Sequence, residues 1–531
     1  MDRRTLLQLA TALAGGTLLT PSGAWAGRGA SDDPFTLGVA SGAPSEDGFV
    51  LWTRIAPAAL PAPTASATVR WELADDAGFQ RIVARGEATA APALGHSVHV
   101  ELRGLAPDRW FFYRFMLGDA VSGTGRTRTT PAASVLAQRL RFAFASCQRW
   151  EHGYYAAWRH LAAQDPDLVV FLGDYIYEYA MPQNSKVALA RNNPLRHAVT
   201  LADYRDRYAL HKSDPDLQAA HRACPWIFTW DDHEVENDYA GLSGREPPAE
   251  FLQIRAAAYQ AFYENMPLRS SALVHGLGGL GQTDAVRVAE RYGYGRLARF
   301  HVLDTRQFRD LQACRDPAKG PGGTVKRTDC AALDDPARTL LGTAQEQWLD
   351  QGFAADGGHG SGGGDSGPRW SIVAQQTLFS PRHYGENGTG PVPTDSWDGY
   401  PAARQRLLDS LAAHKPRNAV FIGGDVHQNF VCNVHTDANR TDTPALATEF
   451  CGTSVTSFSG TTQARVDAWV SRNPQIVYAN PEKRGYVLAE LTPKGWTSTL
   501  QGVDDPLRAD SAVSPLARFV VEDRQPVVQK A

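Results

Sequence analysis

From about residue 138 onward the chain alternates two patterns. Short runs that are apolar at every position, LRFAFA, DLVVFL, WIF and NAVFI, are separated by stretches with helical spacing over Tyr154 to Ala163, Ala202 to Tyr208, Gln253 to Asn265 and Ala402 to His414. Continuous apolar runs of this length predict strands covered on both faces, and their alternation with helices predicts an α/β architecture. Each run empties into polar chemistry. The first stops at Cys147, the second at Asp174 with Tyr177 behind it, the third at Asp231, Asp232 and His233, and the fourth at Asp425 and His427. Strands that end in carboxylates, a thiol, a phenol and imidazoles predict a shared metal cage at one edge of a sheet.

Residues from about 34 to 130 carry a different rhythm. Phe35 to Ala40, Gly48 to Arg54, Ala67 to Leu73, Ser97 to Leu102 and Arg109 to Phe115 alternate or are rich in aromatic and β-branched residues, with Pro44, Pro61, Pro63 and Gly104 between them. This spacing predicts a β-sandwich of about a hundred residues. The stretch Leu105 to Tyr113 resembles the corner before the penultimate strands of fibronectin type III sandwiches. Thr129 to Ser134 reads as the linker. At 531 residues the chain is too long for one ordinary core. The expected division is an export signal over 1–26, the sandwich over 27–131, the α/β domain over 138–515 and a tail over 516–531. The Gly-rich stretch from Asp356 to Gly367 reads as a surface loop, because a phosphate-cradling loop needs a strand before it and Lys-Ser/Thr after it.

The N-terminus narrows the location. Arg3-Arg4 precede an apolar run from Thr5 to Leu19, and Ala24-Trp25-Ala26 offers a small-x-small cleavage site. The frame Asp2-Arg3-Arg4-Thr5-Leu6-Leu7 resembles a twin-arginine signal more closely than an ordinary secretory one. The expected partner is therefore the twin-arginine export machinery, and the expected location is periplasmic or extracellular. No other run is long enough to span a bilayer. A formal charge of −4 gives no basic footprint for bulk nucleic-acid binding.

Six cysteines in an exported chain invite disulfides. Cys314 and Cys330 bracket a Gly/Pro/Asp-rich loop that a bridge would stabilise by about 3 kcal/mol. Cys432 with Cys451 is a weaker pair. Cys224 reads as a small buried residue, and Cys147, at a strand end among polar neighbours, reads as a ligand.

The candidate donors differ in what they tolerate. Gly173 lets the chain turn so that Asp174 enters the crevice beyond the strand, where one carboxylate can bridge two cations. Tyr177 follows at i+3 and binds as phenolate only beside a strong Lewis acid. Asp231 and Asp232 repel each other unless neutralised, with Asp232 the expected ligand and Asp231 and Glu234 the expected supports. Asp425 and His427, at i and i+2 of an extended segment, face one side. Thiolate, phenolate and imidazole together favour a transition metal, with tyrosinate pointing to ferric iron, an oxygen-rich neighbour suiting Ca²⁺, and Zn²⁺ as the rival.

These residues resemble the PhoD-like alkaline phosphatases. The resemblance rests on Phe35-Thr36-Leu37-Gly38-Val39-Ala40-Ser41-Gly42, Leu51-Trp52-Thr53-Arg54, Ser146-Cys147-Gln148, Gly173-Asp174-Tyr175-Ile176-Tyr177-Glu178, Trp230-Asp231-Asp232-His233-Glu234, Leu303-Asp304-Thr305-Arg306 and Gly424-Asp425-Val426-His427, in the family's order across nearly the whole chain. It implies a metallophosphoesterase-like αββα sandwich behind a fibronectin type III-like domain, and a cluster of Fe³⁺ with Ca²⁺. It implies iron ligands Cys147, Asp174, Tyr177 and one of Asp425 and His427, with Asp174 bridging and Asp232 on the second cation. It further implies that His233 contacts phosphate or protonates the leaving group, and that Asn237 and Arg306 support the site. Many relatives carry two Asn where this chain has Asn237-Asp238. Gln375 also falls in a family-like segment.

The expected activity is hydrolysis of phosphomonoesters, and of phosphodiesters, by metal-activated water. The alternatives are a phospholipase D-like phosphodiesterase and a secreted calcium-binding adhesion protein without catalysis. A zinc peptidase lacks its His-Glu-x-x-His helix.

Overall fold

The computed structural model describes residues 33–276, 286–316, 320–357, 367–385 and 390–531. The expected export signal and most of the Gly-rich loop lie outside these residues. Among the described residues, no helix is long and apolar enough to cross a membrane.

Two sheets form the centre. In the larger, ten-stranded sheet, Leu140–Ala145, Leu168–Phe171 and Trp226–Phe228 run parallel and side by side. Period-two alternation gives each of these strands two buried faces. Ala143, Ala145, Val169 and Phe171 face a core shared with the helices Ala156–Ala162, Leu201–Lys212, Pro215–Ala223 and Pro248–Asn265. Phe142, Phe144, Leu168 and Val170 face the seven-stranded sheet, meeting Phe300, Ile372, Val420, Ile422 and Phe450. The other face of that second sheet, at Val373, Phe421 and Ala447, packs with residues of the helices Thr343–Asp356 and Pro401–His414. The order of layers is therefore helix, sheet, sheet, helix. Trp496 ties the two sheets together, edge-on to Phe142 at 5.6 Å and stacked on Phe450 at 6.0 Å.

The N-terminal strands do not form an isolated unit. Val39–Ser45, Gly48–Arg54 and Ser97–Leu102 extend the ten-stranded sheet, with Gly42 opposite Trp226 in parallel pairing. A Cβ at Gly42 would stand 2.7 Å from Pro267 and 2.8 Å from the Trp226 carbonyl, so only glycine permits this approach. The outer face of these strands, at Phe49, Leu51, Val98 and Val100, packs on Val69, Leu73, Phe111, Tyr113 and Phe115 of a separate five-stranded sheet. At the opposite edge, Val513–Glu522 and Gln529–Lys530 add two further strands.

Local differences from the sequence reading have local causes. The strand expected over Phe35 to Ala40 begins only at Val39. The Asp33 carboxylate accepts the Phe35 N–H at 2.8 Å, and the Gly38 N–H closes a turn onto the Phe35 carbonyl. The strand Ile82–Ala90 is absent from the sequence reading, because most of its side chains face solvent and its inward positions are only Ala84, Gly86, Ala88 and Ala90, too small to mark an apolar face. The helix Leu201–Lys212 runs longer than expected, starting from a Thr200/Asp203 capping box. Cys314 and Cys330 form the expected disulfide. Cys432 and Cys451 do not, and are separate buried thiols. Their strands pair, but the register sets Cys432 opposite Glu449 and Phe430 opposite Cys451.

Candidate metal centre

The four donor-bearing strand ends come from both sheets and converge. Three belong to adjacent parallel strands of the ten-stranded sheet, and the fourth follows Ala419–Gly423 of the other sheet. Two glycines allow the loops to touch. Gly173 has φ +104°, and a Cβ there would lie 2.4 Å from the Asp231 nitrogen. A Cβ at Gly424 would lie 2.2 Å from Ser146 Oγ, beside Cys147. Cys147, Asp174, Asp425 and His427 all have φ between +56° and +63°. Left-handed backbone is costly for such residues and concentrates where side chains are aimed for function.

The structure brings the predicted donors together in overlapping groups whose ligand atoms lie within 4.8 Å of one another. Cys147, Asp174 and His427 form one group, Asp174, Asp232 and His233 a second, and Asp174, Asp231 and Asp425 a third. Asp174 belongs to all three. Tyr177 joins the first group, its hydroxyl donating to Asp174 Oδ2 at 2.9 Å and lying 3.2 Å from His427 Nε2. His427 Nδ1 bonds the Phe458 carbonyl at 3.0 Å, which requires the proton on Nδ1 and leaves the Nε2 lone pair free for a metal.

A shell of further residues holds these groups still. The Glu234 carboxylate accepts the N–H groups of Asp174, Tyr175 and Asp231 at 3.0, 2.6 and 2.9 Å, locking two loops to each other. Arg306 is 1% exposed and pairs with Asp231, with Asp395 at 2.7 Å and with Asp232 at 3.7 Å. Asn237 enters through its backbone N–H, which donates to Glu178. Gln375 accepts from Trp397 Nε1 and Thr377 N, bracing the neighbouring loop.

Three participants were missed by the sequence reading. Glu178 stood in a quoted motif without a role, yet it bonds His233 Nδ1 at 2.7 Å. Asp395 forms a fourth acidic group with Asp232 and Asp238, but sits in a polar loop with no apolar strand to mark it. Ser457 donates to the Tyr177 hydroxyl at 2.7 Å, and nothing in its own segment signals it, because the fold brings it there beside the Ser146–Ser454 bridge.

The electrostatics call for a cation. Burial, reinforced by Asp174 and Asp425, pushes the Cys147 thiol well up. Burial likewise raises the Tyr177 phenol, with Asp174 adding to it, and raises the Asp174 carboxyl against the pull of His233. Asp425 is raised by burial to about 6, and His427 is lowered by burial to about 3. Burial alone would lower His233, but Glu178, Asp232 and Asp174 outweigh it and raise it well above the usual imidazole value. Asp232 would be raised by burial, but Arg306 and His233 hold it low. Asp231 Oδ2 and Asp232 Oδ1 are buried without a hydrogen-bond partner. Protonated thiol and phenol beside orphaned carboxylate oxygens is the arrangement that a bound cation resolves, by displacing protons and taking up the free lone pairs. The donor set fits a metal centre.

Comparison with known proteins agrees over the full length. Residues 142–500 match the family model "PhoD-like phosphatase", and residues 22–131 match "PhoD-like phosphatase, N-terminal domain". The chain is 41% identical to alkaline phosphatase D of Bacillus subtilis (strain 168) over 545 aligned positions, covering 100% of this chain and 89% of that protein. A solved structure described as "Structure of PhoD" is 40% identical, with a TM-score of 0.86, covering 95% of this chain and 93% of the other.

Proposed function

The chain belongs to the PhoD-like phosphatase family and is a phosphoric ester hydrolase, and from that premise we propose that it cleaves phosphomonoesters and phosphodiesters at the strand-end centre, loaded with Fe³⁺ and Ca²⁺. The observation that carries this reading is the convergence of Cys147, Asp174, Tyr177 and His427 in one cluster, with Asp174 common to the neighbouring carboxylate groups. Thiolate, phenolate, imidazole and carboxylate suit ferric iron, whereas Asp174, Asp232 and Asp425 offer the hard oxygen donors that Ca²⁺ prefers. The metallophosphoesterase-like arrangement is supported by the helix–sheet–sheet–helix layering around this centre.

When bound, the metals supply Lewis-acid chemistry, neutralising phosphate oxygens and lowering the pKa of water. The chain's own residues do the rest. His233 stands between the rings of Tyr177 and Tyr179, with centroids at 4.2 and 5.3 Å, so its plane is set. Glu178 accepts a hydrogen bond from Nδ1–H and stabilises the imidazolium, leaving Nε2–H to protonate the departing ester oxygen. Burial of Asp174, Asp232 and His233 keeps bulk water from screening these charges.

The direct test compares p-nitrophenyl phosphate, bis-p-nitrophenyl phosphate and phosphatidylcholine on natively purified protein with its metals quantified. Turnover of the first two with iron and calcium bound is expected. Turnover of phosphatidylcholine alone would instead make the protein a phospholipase, and zinc as the sole bound metal would overturn the iron assignment. A ferric tyrosinate absorbs visible light, so Tyr177→Phe is expected to remove a charge-transfer band that the parent protein shows. A colourless, iron-free and fully active parent would sink this assignment. Glu178→Gln is expected to lower kcat by about 10–100-fold while leaving that band in place, because Glu178 orients the proton donor and not the metal. Unchanged kcat would remove His233 from the proton-donor role.

A further inference from the structure

Gln312 and Arg315 stand on either side of Cys314, and both reach the chain that follows Asp232. Gln312 Nε2 donates to the Asp238 carbonyl at 2.6 Å and to Asp395 Oδ1 at 2.9 Å. Arg315 donates to Ser243 Oγ at 2.8 Å and to the Gly244 carbonyl at 2.9 Å. The Cys314 arm of the disulfide is therefore fastened to the segment that carries Asp238.

The Cys330 arm is fastened to the segment that carries Asp395. Thr324–Lys326 pairs antiparallel with Pro391–Pro393, setting Val325 opposite Val392. Both valines pack on Ala313, Cys330 and Leu333. One residue before Asp395, Thr394 donates its N–H and its hydroxyl to the Gly323 carbonyl at 3.0 and 3.2 Å. Gly322, at φ +77°, lies so close to Asp238 that a Cβ there would overlap carboxylate Oδ2.

The two arms meet at the Cys314–Cys330 bridge. Between them they hold Asp238 and Asp395 where the ligand atoms of these two and Asp232 lie within 4.8 Å of one another. Asp232 is 3% exposed, and its Oδ1 has no hydrogen-bond partner. Carboxylates this close repel one another unless a cation or a rigid frame keeps them together. Asp395 pairs with Arg306 and Arg309, whereas Asp238 makes no ion pair among the described residues and depends on the frame.

We propose that the Cys314–Cys330 disulfide is a positioning element of the metal centre, holding Asp238 and Asp395 against Asp232 so that the affinity for Ca²⁺ depends on its oxidation. The calcium half rests on the function proposed above. The bridge forms when the two thiols give two electrons and two protons to a small disulfide such as oxidised glutathione, which leaves as two thiols.

The test strips calcium from the holoenzyme with EGTA and titrates Ca²⁺ back, following turnover of p-nitrophenyl phosphate and, in parallel, heat of binding. Half-saturating Ca²⁺ is expected to rise about tenfold in Cys314→Ser/Cys330→Ser and in Gly322→Ala. Turnover at saturating Ca²⁺ should return to within about twofold of the parent value, with the tyrosinate band unmoved, because Cys147, Tyr177 and His427 belong to another donor group. A phosphine reductant should raise half-saturation in the parent protein, and oxidised glutathione should restore it.

An unchanged Ca²⁺ dependence in the serine pair would overturn the proposal. So would a loss of turnover that saturating Ca²⁺ does not restore, which marks a general loss of structure. Gly322→Ala reaches Asp238 without touching either thiol; should the serine pair not fold, a parental Ca²⁺ dependence in Gly322→Ala would overturn the proposal instead. A parent protein that binds no Ca²⁺ would overturn it too. A parent protein that turns over no ester, yet binds Ca²⁺ more weakly once the bridge is removed, would defeat the phosphatase reading and leave the role of the bridge standing.

Discussion

Asp174→Asn is expected to reduce kcat by at least about 10³-fold while leaving the fold intact. Asp174 is the residue common to three donor groups, and asparagine offers one neutral carbonyl oxygen where the carboxylate offers two oxygens sharing a negative charge. The fold survives because burial already favours the neutral form of Asp174 when no cation is present, and asparagine copies that form. Melting temperature with and without added metal separates the two effects. The parent protein is expected to melt higher when loaded, and the variant to respond far less, because a ligand stabilises only the state that binds it. The pH dependence follows from the raised carboxyl. A carboxyl whose folded pKa lies above its unfolded value contributes stability at low pH that is lost as pH rises towards the folded value. The metal-free parent should therefore lose stability as pH climbs above the ordinary carboxylate range, and Asp174→Asn should lose less. Full turnover by the variant, or an undiminished response to metal, would remove Asp174 from the proposed metal-binding role.

Arg306→Met should have the largest effect on stability, about 3–5 kcal/mol, read as a drop in denaturant midpoint at constant slope. One fully buried guanidinium neutralises Asp231, Asp395 and Asp232, and removing it takes the paired cation from Asp231 and Asp232, while Asp395 keeps Arg309 at 2.9 Å. Arg306→Lys should recover only part of this loss, because a single ammonium cannot reproduce the fork that reaches Asp231 and Asp395 together. A change below about 1 kcal/mol in Arg306→Met would mean that these carboxylates are protonated or otherwise paired in the parent protein.

Several parts of this architecture were legible before any coordinates. The four apolar runs that became Leu140–Ala145, Leu168–Phe171, Trp226–Phe228 and Ala419–Gly423 announced themselves by composition. A strand buried on both faces cannot hide its apolar run, so the donors at its end stand out by contrast. Four helices were legible for the related reason of period, but their ends were not: Leu201–Lys212 and Pro248–Asn265 run longer than their patterns and Ala156–Ala162 runs shorter. The N-terminal strands were found almost in place, but their membership in the ten-stranded sheet was not, because pairing between Gly42 and Trp226 leaves no mark on either segment alone. The failed Cys432–Cys451 pairing has the same origin, since a register offset of two residues is invisible in the separate strands.

What the chain's own pattern determined was the inventory: which segments are strands and helices, and which residues carry thiol, phenol, imidazole and carboxylate at strand ends. Those properties are local, set by side-chain chemistry and by spacing along a few residues. Folding in three dimensions decided the company each donor keeps. It made Asp174 the common member, put His427 with Cys147 and Tyr177, recruited Glu178, Asp395 and Ser457, and set Arg306 among three acids. These relations join positions up to 280 residues apart. They depend on two sheets stacking, and on Gly173 and Gly424 letting backbones meet, which no short stretch of sequence encodes.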